Sequence, residues 1–272
     1  MKKTFLVCLM ALFSVALIAQ ENTVRLYAHR GGRAEFDENT ITAFDGAYKA
    51  GFRGFETDIR MTSDGELVIL HDSALERATN GKGNVETSKA KQLKNLKVGR
   101  SKVIFLEDLC KWIEKKGDIE FFEFEIKSDA ALYSDEMVKE MSEAIYHRVM
   151  AVKPVGATFI ITSFDTRPLE YLRKNYPSAE LGLIVNDPVN NATIEKAKDL
   201  GITRIDCRIE GTSANAVDKA HQEGLTVNLW PTADVQGIAL GIALGADNVC
   251  TDIPTAAKKA LNKTMPWVTI EY

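Results

Sequence analysis

The feature that most constrains this chain is its rhythm. From residue 24 onward, short apolar runs alternate with stretches whose apolar residues recur at helical spacing. Eight such runs, centred near residues 26, 56, 122, 159, 182, 204, 227 and 249, are each followed by a helical stretch. Strands that alternate with helices build βαβ units and a parallel sheet. Eight units in about 250 residues is the size of a (β/α)8 barrel. An open doubly wound sheet is the competing arrangement. No G-x-G-x-x-G turn follows the first run, which weakens a dinucleotide-binding version of it. The expected fold is therefore α/β, a (β/α)8 TIM barrel in a single domain over residues 21–272.

Local signals fill in this outline. Residues 40–50 predict a helix with Ala43, Phe44, Ala47 and Tyr48 on one face and Asn39 or Thr40 as its cap. Asp64-Gly65 is a turn pair that separates the strand at 54–59 from an extra strand at 66–70. Residues 73–104 are polar, with several Gly and Lys, and show no clear element before a helix at 106–115. Pro254 suits the first turn of the last helix.

The first twenty residues are read apart from the fold. Lys2 and Lys3 precede an uncharged apolar stretch over 4–19, with small residues at Ala16 and Ala19. This is the pattern of a secretory signal peptide, residues 1–20, cleaved near Ala19 or Gln20, and the stretch is short for a membrane anchor. The expected destination is the periplasm or the outside of the cell, with no stable membrane insertion after cleavage. The net charge of −4 becomes −6 once Lys2 and Lys3 are removed, the wrong sign for a nucleic-acid binder. Four cysteines are too few for a disulfide scaffold. Cys110, Cys207 and Cys250 are expected as buried thiols.

Barrels of this kind build their active sites at the C-terminal ends of the strands, and polar residues gather there. The first strand ends in His29-Arg30-Gly31-Gly32. The second carries Glu56 and Asp58, two apart and so on one face. The extra strand ends in His71-Asp72, and the next barrel strand carries Glu123, Glu125 and Lys127. Glu56, Asp58 and Glu125 converging on one point would repel unless a cation sat between them. Hard oxygen ligands suit Mg2+ or Ca2+ rather than zinc. His29 and His71 can serve as a general acid and base near neutral pH. Arg30, followed by two glycines, and Lys127 are expected phosphate contacts. Trp230 is either a flat apolar wall of the site or a packing residue at the rim. His147 and His221 are expected at the surface.

These residues together resemble the glycerophosphodiester phosphodiesterases. The matching pattern comprises His29-Arg30-Gly31, Glu38-Asn39-Thr40 with Ala43-Phe44, Gly51, Glu56-x-Asp58, Thr62-x-Asp64-Gly65 and His71-Asp72. It continues through Leu75-x-Arg77, Gly81, Gly83, Glu125-Ile126-Lys127, Ser163-Phe164, Trp230 and Thr251-Asp252-x-Pro254. The resemblance implies a TIM barrel, one divalent cation and hydrolysis of a small-molecule glycerophosphodiester to glycerol 3-phosphate and an alcohol. It implies Glu56, Asp58 and Glu125 at the cation, His29 and His71 in acid–base catalysis, and Arg30 and Lys127 at the phosphate. The chain departs from the family pattern at Asp37, at Ile104-Phe105-Leu106, at Glu123 and at Pro231-Thr232-Ala233. Glu123, a layer below Glu125, is expected to pair with Lys127 or another buried cation. Two rival readings are a lysophospholipase-D-like or sphingomyelinase-D-like enzyme acting on lipids, and an exported phosphodiester-binding protein without catalysis. N-terminal sequencing of the exported protein should begin at Gln20 or Glu21; recovery of a chain still carrying residues 1–19 would rule out cleavage.

Overall fold

In each barrel strand, successive side chains point to opposite faces, and this sequence uses the two faces differently. A computed structural model describes residues 23–272. The signal-peptide expectation falls on residues 1–20, outside the described residues.

The chain forms β1 (Thr23–Ala28), α1 (Ile41–Lys49), β2 (Gly54–Met61) and β3 (Leu67–Ile69), then α2 (Ala90–Leu93), β4 (Lys97–Val98), β5 (Ser101–Lys102) and α3 (Leu106–Lys116). The remainder alternates: β6 (Phe121–Ile126), α4 (Asp135–Ala151), β7 (Thr158–Ser163), α5 (Thr166–Asn175), β8 (Glu180–Pro188), α6 (Asn191–Asp199), β9 (Arg204–Arg208), α7 (Ala214–Gln222), β10 (Thr226–Thr232), α8 (Val235–Ala243), β11 (Asn248–Thr251), α9 (Pro254–Thr264) and β12 (Thr269–Glu271).

Strands β1, β2, β6, β7, β8, β9, β10 and β11 pair in parallel in that order, and β11 returns to β1 to close an eight-stranded barrel. The seam between β1 and β2 rests on one register pair, Ala28 with Phe55. Below it β12 lies parallel to β1, and the Arg53 amide donates to the Tyr272 carbonyl at 2.6 Å. The C-terminal strand, which no sequence signal announced, thus fills the foot of the seam.

Outward-facing residues such as Leu26, Phe55, Phe122, Ile161, Leu183, Ile205, Val227 and Val249 join the helices in the main apolar core. Its aromatic centre packs Phe44 of α1 and Trp112 of α3 on Phe55 and Phe122, with ring centroids 5.4–6.0 Å apart. The inward face is mostly polar and is built from Glu56, Asp58, Glu123, Glu125, Arg204, Asp206 and Asn228, all buried. Burying that many polar groups is expensive unless they are paired or bind something. Helix starts next to the barrel mouth are set by side-chain caps: Thr40, Ser134, Asp165, Asn190, Ser213 and Asp234 each accept from a first-turn amide.

Residues 73–104 are more ordered than their polarity predicts. Val68, Leu70, Leu75, Val85, Ala90, Leu93, Val98, Val103 and Phe105 form a second small core beneath the β4–β5 hairpin. Those apolar residues follow neither a 2.0 nor a 3.6 period, so no periodic pattern revealed them. This subdomain is joined to the barrel through β3, which pairs antiparallel with β2. Among the described residues Cys110, Cys207 and Cys250 are free and buried, as expected. Phe122 is fully buried between α1 and the sheet. Phe122→Ala should lower unfolding stability by about 3–5 kcal/mol, read by urea denaturation; a loss under 1 kcal/mol would contradict this packing.

Candidate active site

The mouth of the barrel opens into a cavity of about 310 Å3. Its first wall is the turn after β1. Arg30 there takes a left-handed conformation (φ 52°, ψ 31°), followed by Gly31 at φ 76° and Gly32 at φ 101°. Left-handed backbone is costly for a side chain larger than glycine. Here it aims the Arg30 amide at Glu56 Oε2, 2.8 Å away, while its guanidinium lies 3.2 Å from Asp58 and 3.3 Å from Glu38. A Cβ on Gly31 would stand 2.8–2.9 Å from Ala43 and the Phe44 amide, so α1 can approach only because residue 31 is glycine.

Glu56, Asp58 and Glu125 meet as the sequence predicted. Asp58 and Glu125 are register partners on β2 and β6, and one oxygen from each of the three carboxylates lies within 4.8 Å of the others. All three are buried. Lys127 Nζ approaches Asp58 at 3.1 Å and Glu125 at 2.5 Å. Asp58 Oδ1 and Glu125 Oε1 thus share this one ammonium, while Glu56 Oε1 is buried without a partner. Burial pushes the Glu125 carboxyl up to about 7, with Lys127 opposing and Asp58 adding to the rise. Burial and then the Asp58 charge push Glu56 up as well. Asp58 goes the other way: Lys127 and Arg30 overcome its burial and hold it well below the usual range. Three buried carboxylates converging on one point, with one ammonium between two of them and an oxygen of Glu56 unpartnered, form a set that a hard divalent cation would complete.

The two histidines share one arrangement. His29 Nδ1 is 2.5 Å from Asp252, which also accepts from Arg33 at 2.8 Å. His71 Nδ1 is 2.5 Å from Asp72, which is also paired with Arg77. In both, the carboxylate fixes the ring and its tautomer and leaves Nε2 for other partners. His29 Nε2 lies 3.8 Å from Glu56, and both rings line the cavity. Burial lowers the pKa of both, that of His71 to about 4. Both therefore stand neutral at pH 7 before a substrate anion arrives.

Trp230 lines the cavity, partly buried, with Phe164 edge-on at 5.8 Å, so it forms a wall of the site. His147 and His221 lie far from this cavity at the surface, bonded to Tyr176 and Asp247 respectively. Glu123 pairs with Arg204 at 3.3 Å, not with Lys127. Arg204 reaches it from β9 across the barrel interior, a partner that sequence distance concealed.

Sequence reasoning gave no role to several residues that organise the site. Asn39 donates to Asp58 at 2.8 Å and accepts from Thr57, orienting the carboxylate. Glu38 bridges Arg30 and Arg77. Asp252 holds His29. Each belongs to a motif already noted, and its position beside a charged strand end was the available signal.

A barrel with this constellation at its mouth has relatives. Residues 29–256 match the Glycerophosphoryl diester phosphodiesterase family. The chain belongs to that family. A glycerophosphodiester phosphodiesterase of Bacillus altitudinis is 26% identical over 247 residues, covering 86% of this chain and 97% of the relative. One from Caldanaerobacter subterraneus is 29% identical, covering 84% and 93%. Among solved structures, an Oleispira antarctica phosphodiesterase in complex with the product sn-glycerol-3-phosphate superposes with a TM-score of 0.79 at 21% identity, covering 88% of this chain and 97% of the other. It shares the barrel fold.

The raised Glu125 pKa gives a stability prediction. Its folded pKa of about 7 lies above the ordinary value of 4.5. The unfolded chain then binds fewer protons between those pH values, so this group's contribution to stability falls as pH rises through that window. Without divalent ions, Glu125→Gln should melt above wild type at pH 7 and level with it near pH 4.5. Added Mg2+ or Ca2+ should raise wild type past the variant. A variant less stable than wild type at pH 7 in chelator would refute this reading of the carboxylates.

Proposed function

We propose that this protein hydrolyses glycerophosphodiesters to glycerol 3-phosphate and an alcohol, with one divalent cation, Ca2+ or Mg2+, held by Glu56, Asp58 and Glu125. The observation that carries this is the pairing of a buried, convergent carboxylate triad with two carboxylate-held imidazoles in one cavity. A simple binder has no use for two such imidazoles. When bound, the cation supplies charge stabilisation to the phosphoryl oxygens.

The chain's own groups do the rest. The Arg30 guanidinium and the Lys127 ammonium stand beside the triad and are placed to meet the phosphate oxygens, where negative charge grows. His29, more enclosed, accepts a proton at Nε2 from the attacking hydroxyl, which is either the substrate's own 2-hydroxyl or water. The phosphorus–oxygen bond to the leaving alcohol breaks, and His71, nearer the opening, delivers a proton to that oxygen. Attack by water gives glycerol 3-phosphate directly. Attack by the 2-hydroxyl leaves a cyclic phosphate that a water molecule, deprotonated in turn, then opens to glycerol 3-phosphate. The bound diester anion favours the imidazolium that this step needs. Asp252 and Asp72 hold the rings in register through the transfer. Trp230 gives the organic part of the substrate an apolar wall. The pattern of residues 1–20 supports export to the periplasm or the medium as part of this reading.

Purified protein should release glycerol 3-phosphate from glycerophosphocholine in Mg2+ or Ca2+ and stop in chelator. His29→Ala and His71→Ala should each cut turnover about 10²–10⁴-fold. Near-normal turnover in His71→Ala would sink its role, and tight binding without product release would identify a binder.

A further inference from the structure

The cavity continues below the triad. Its floor is formed by Tyr27, Glu123, Asp206 and Asn228. Glu123 is the register partner of Glu56, two residues before Glu125 and Asp58 on their strands, and Asn228 is the register partner of Asp206 across the barrel. The two carboxylates of this floor are treated differently. Glu123 is fully engaged, accepting from Tyr27 at 2.7 Å, Thr162 at 3.2 Å and Arg204 at 3.3 Å. Asp206 is 1% exposed, and its near partners, Arg204 and Asn228, give neither of its oxygens a well-directed hydrogen bond. Arg204 Nε stands 3.4 Å off without donating well, its guanidinium being turned to Glu123 and stacked over Phe121 at 5.2 Å. The neighbouring Asn228 Oδ1 is likewise buried without a partner. Gly182 makes room for this carboxylate: a Cβ there would sit 2.7 Å from Asp206 Oδ2.

Acceptors buried in a cavity with no well-directed donor are costly unless a ligand completes them. We propose that Asp206 and Asn228 form a recognition floor that accepts hydrogen bonds from an O–H or N–H donor of the bound diester, below the level of its phosphate. This rests on the diesterase reading. The donor belongs either to the leaving alcohol or to the shared glycerol. Asp206 then acts in substrate specificity, apart from the acid–base groups.

The test compares wild type, Asp206→Leu and Asp206→Asn on four diesters. Glycerophosphoethanolamine and glycerophosphoglycerol carry donors on the leaving group. Glycerophosphocholine carries none there, and bis(4-nitrophenyl) phosphate carries none at all. Burial raises the Asp206 pKa, so a neutral replacement should melt no lower than wild type. If the leaving alcohol reaches the floor, Asp206→Leu lowers kcat/KM about 10–100-fold for the first two diesters and spares glycerophosphocholine, the loss expected for a charge-assisted hydrogen bond. If the glycerol reaches it, all three glycerol diesters fall together and bis(4-nitrophenyl) phosphate is spared. Asp206→Asn should give a smaller loss in the same order. Unchanged values for every diester, or an equal fall for all four, would overturn the proposal. If wild type cleaves none of them, the diesterase reading fails by itself. The floor is then judged by the thermal shift with glycerol 3-phosphate and glycerophosphoethanolamine. A shift lost in Asp206→Leu supports it, and an equal shift or none overturns it.

Discussion

Glu56, Asp58 and Glu125 face one another inside a closed barrel, and most of the mouth of this molecule is arranged around that repulsion. Arg30 accepts a left-handed backbone so that its amide and guanidinium can both reach the cluster. Lys127 is drawn in at the end of β6, and Asn39 locks the remaining face of Asp58. These contacts hold Asp58 ionised, yet Glu56 and Glu125 keep raised pKa values. Two cations close to three carboxylates leave a deficit of positive charge. The deficit is the physical basis on which the proposed divalent cation would be held.

Around this centre the protein repeats one device. Each imidazole of the cavity is held at Nδ1 by a carboxylate, and each carboxylate by an arginine: Asp252 with Arg33, Asp72 with Arg77. Arg77 also pairs with Glu38, which contacts Arg30. The small subdomain bearing His71 is thereby tied to the turn after β1 by charge as well as by the β2–β3 ladder. A displacement of that subdomain would disturb His71 and the Arg30 side chain together.

Much of this was legible in the sequence because barrel strands obey a period of two. Charged residues at alternate positions of otherwise apolar strands cannot face the helices, so Glu56, Asp58, Glu123 and Glu125 had to point inward, and the repeated strand–helix rhythm gave the barrel. Three things were not legible. The core under residues 73–104 follows no period. Strand β12 is three residues long and is defined by its partner β1. The partners of buried charges are set by closure of the barrel, which brings Arg204 of β9 to Glu123 of β6 and Asp252 to His29.

The sequence by itself determined the fold class, the strand faces and the chemical types present at the strand ends, because periodicity and residue chemistry are local. Tertiary structure decided which charges are satisfied. Glu123 and Asp206 read alike as acidic residues on inward faces. Only the packed barrel, with one guanidinium turned to Glu123 and standing 3.4 Å from Asp206, makes one a closed ion pair and leaves the other loosely paired on the cavity wall.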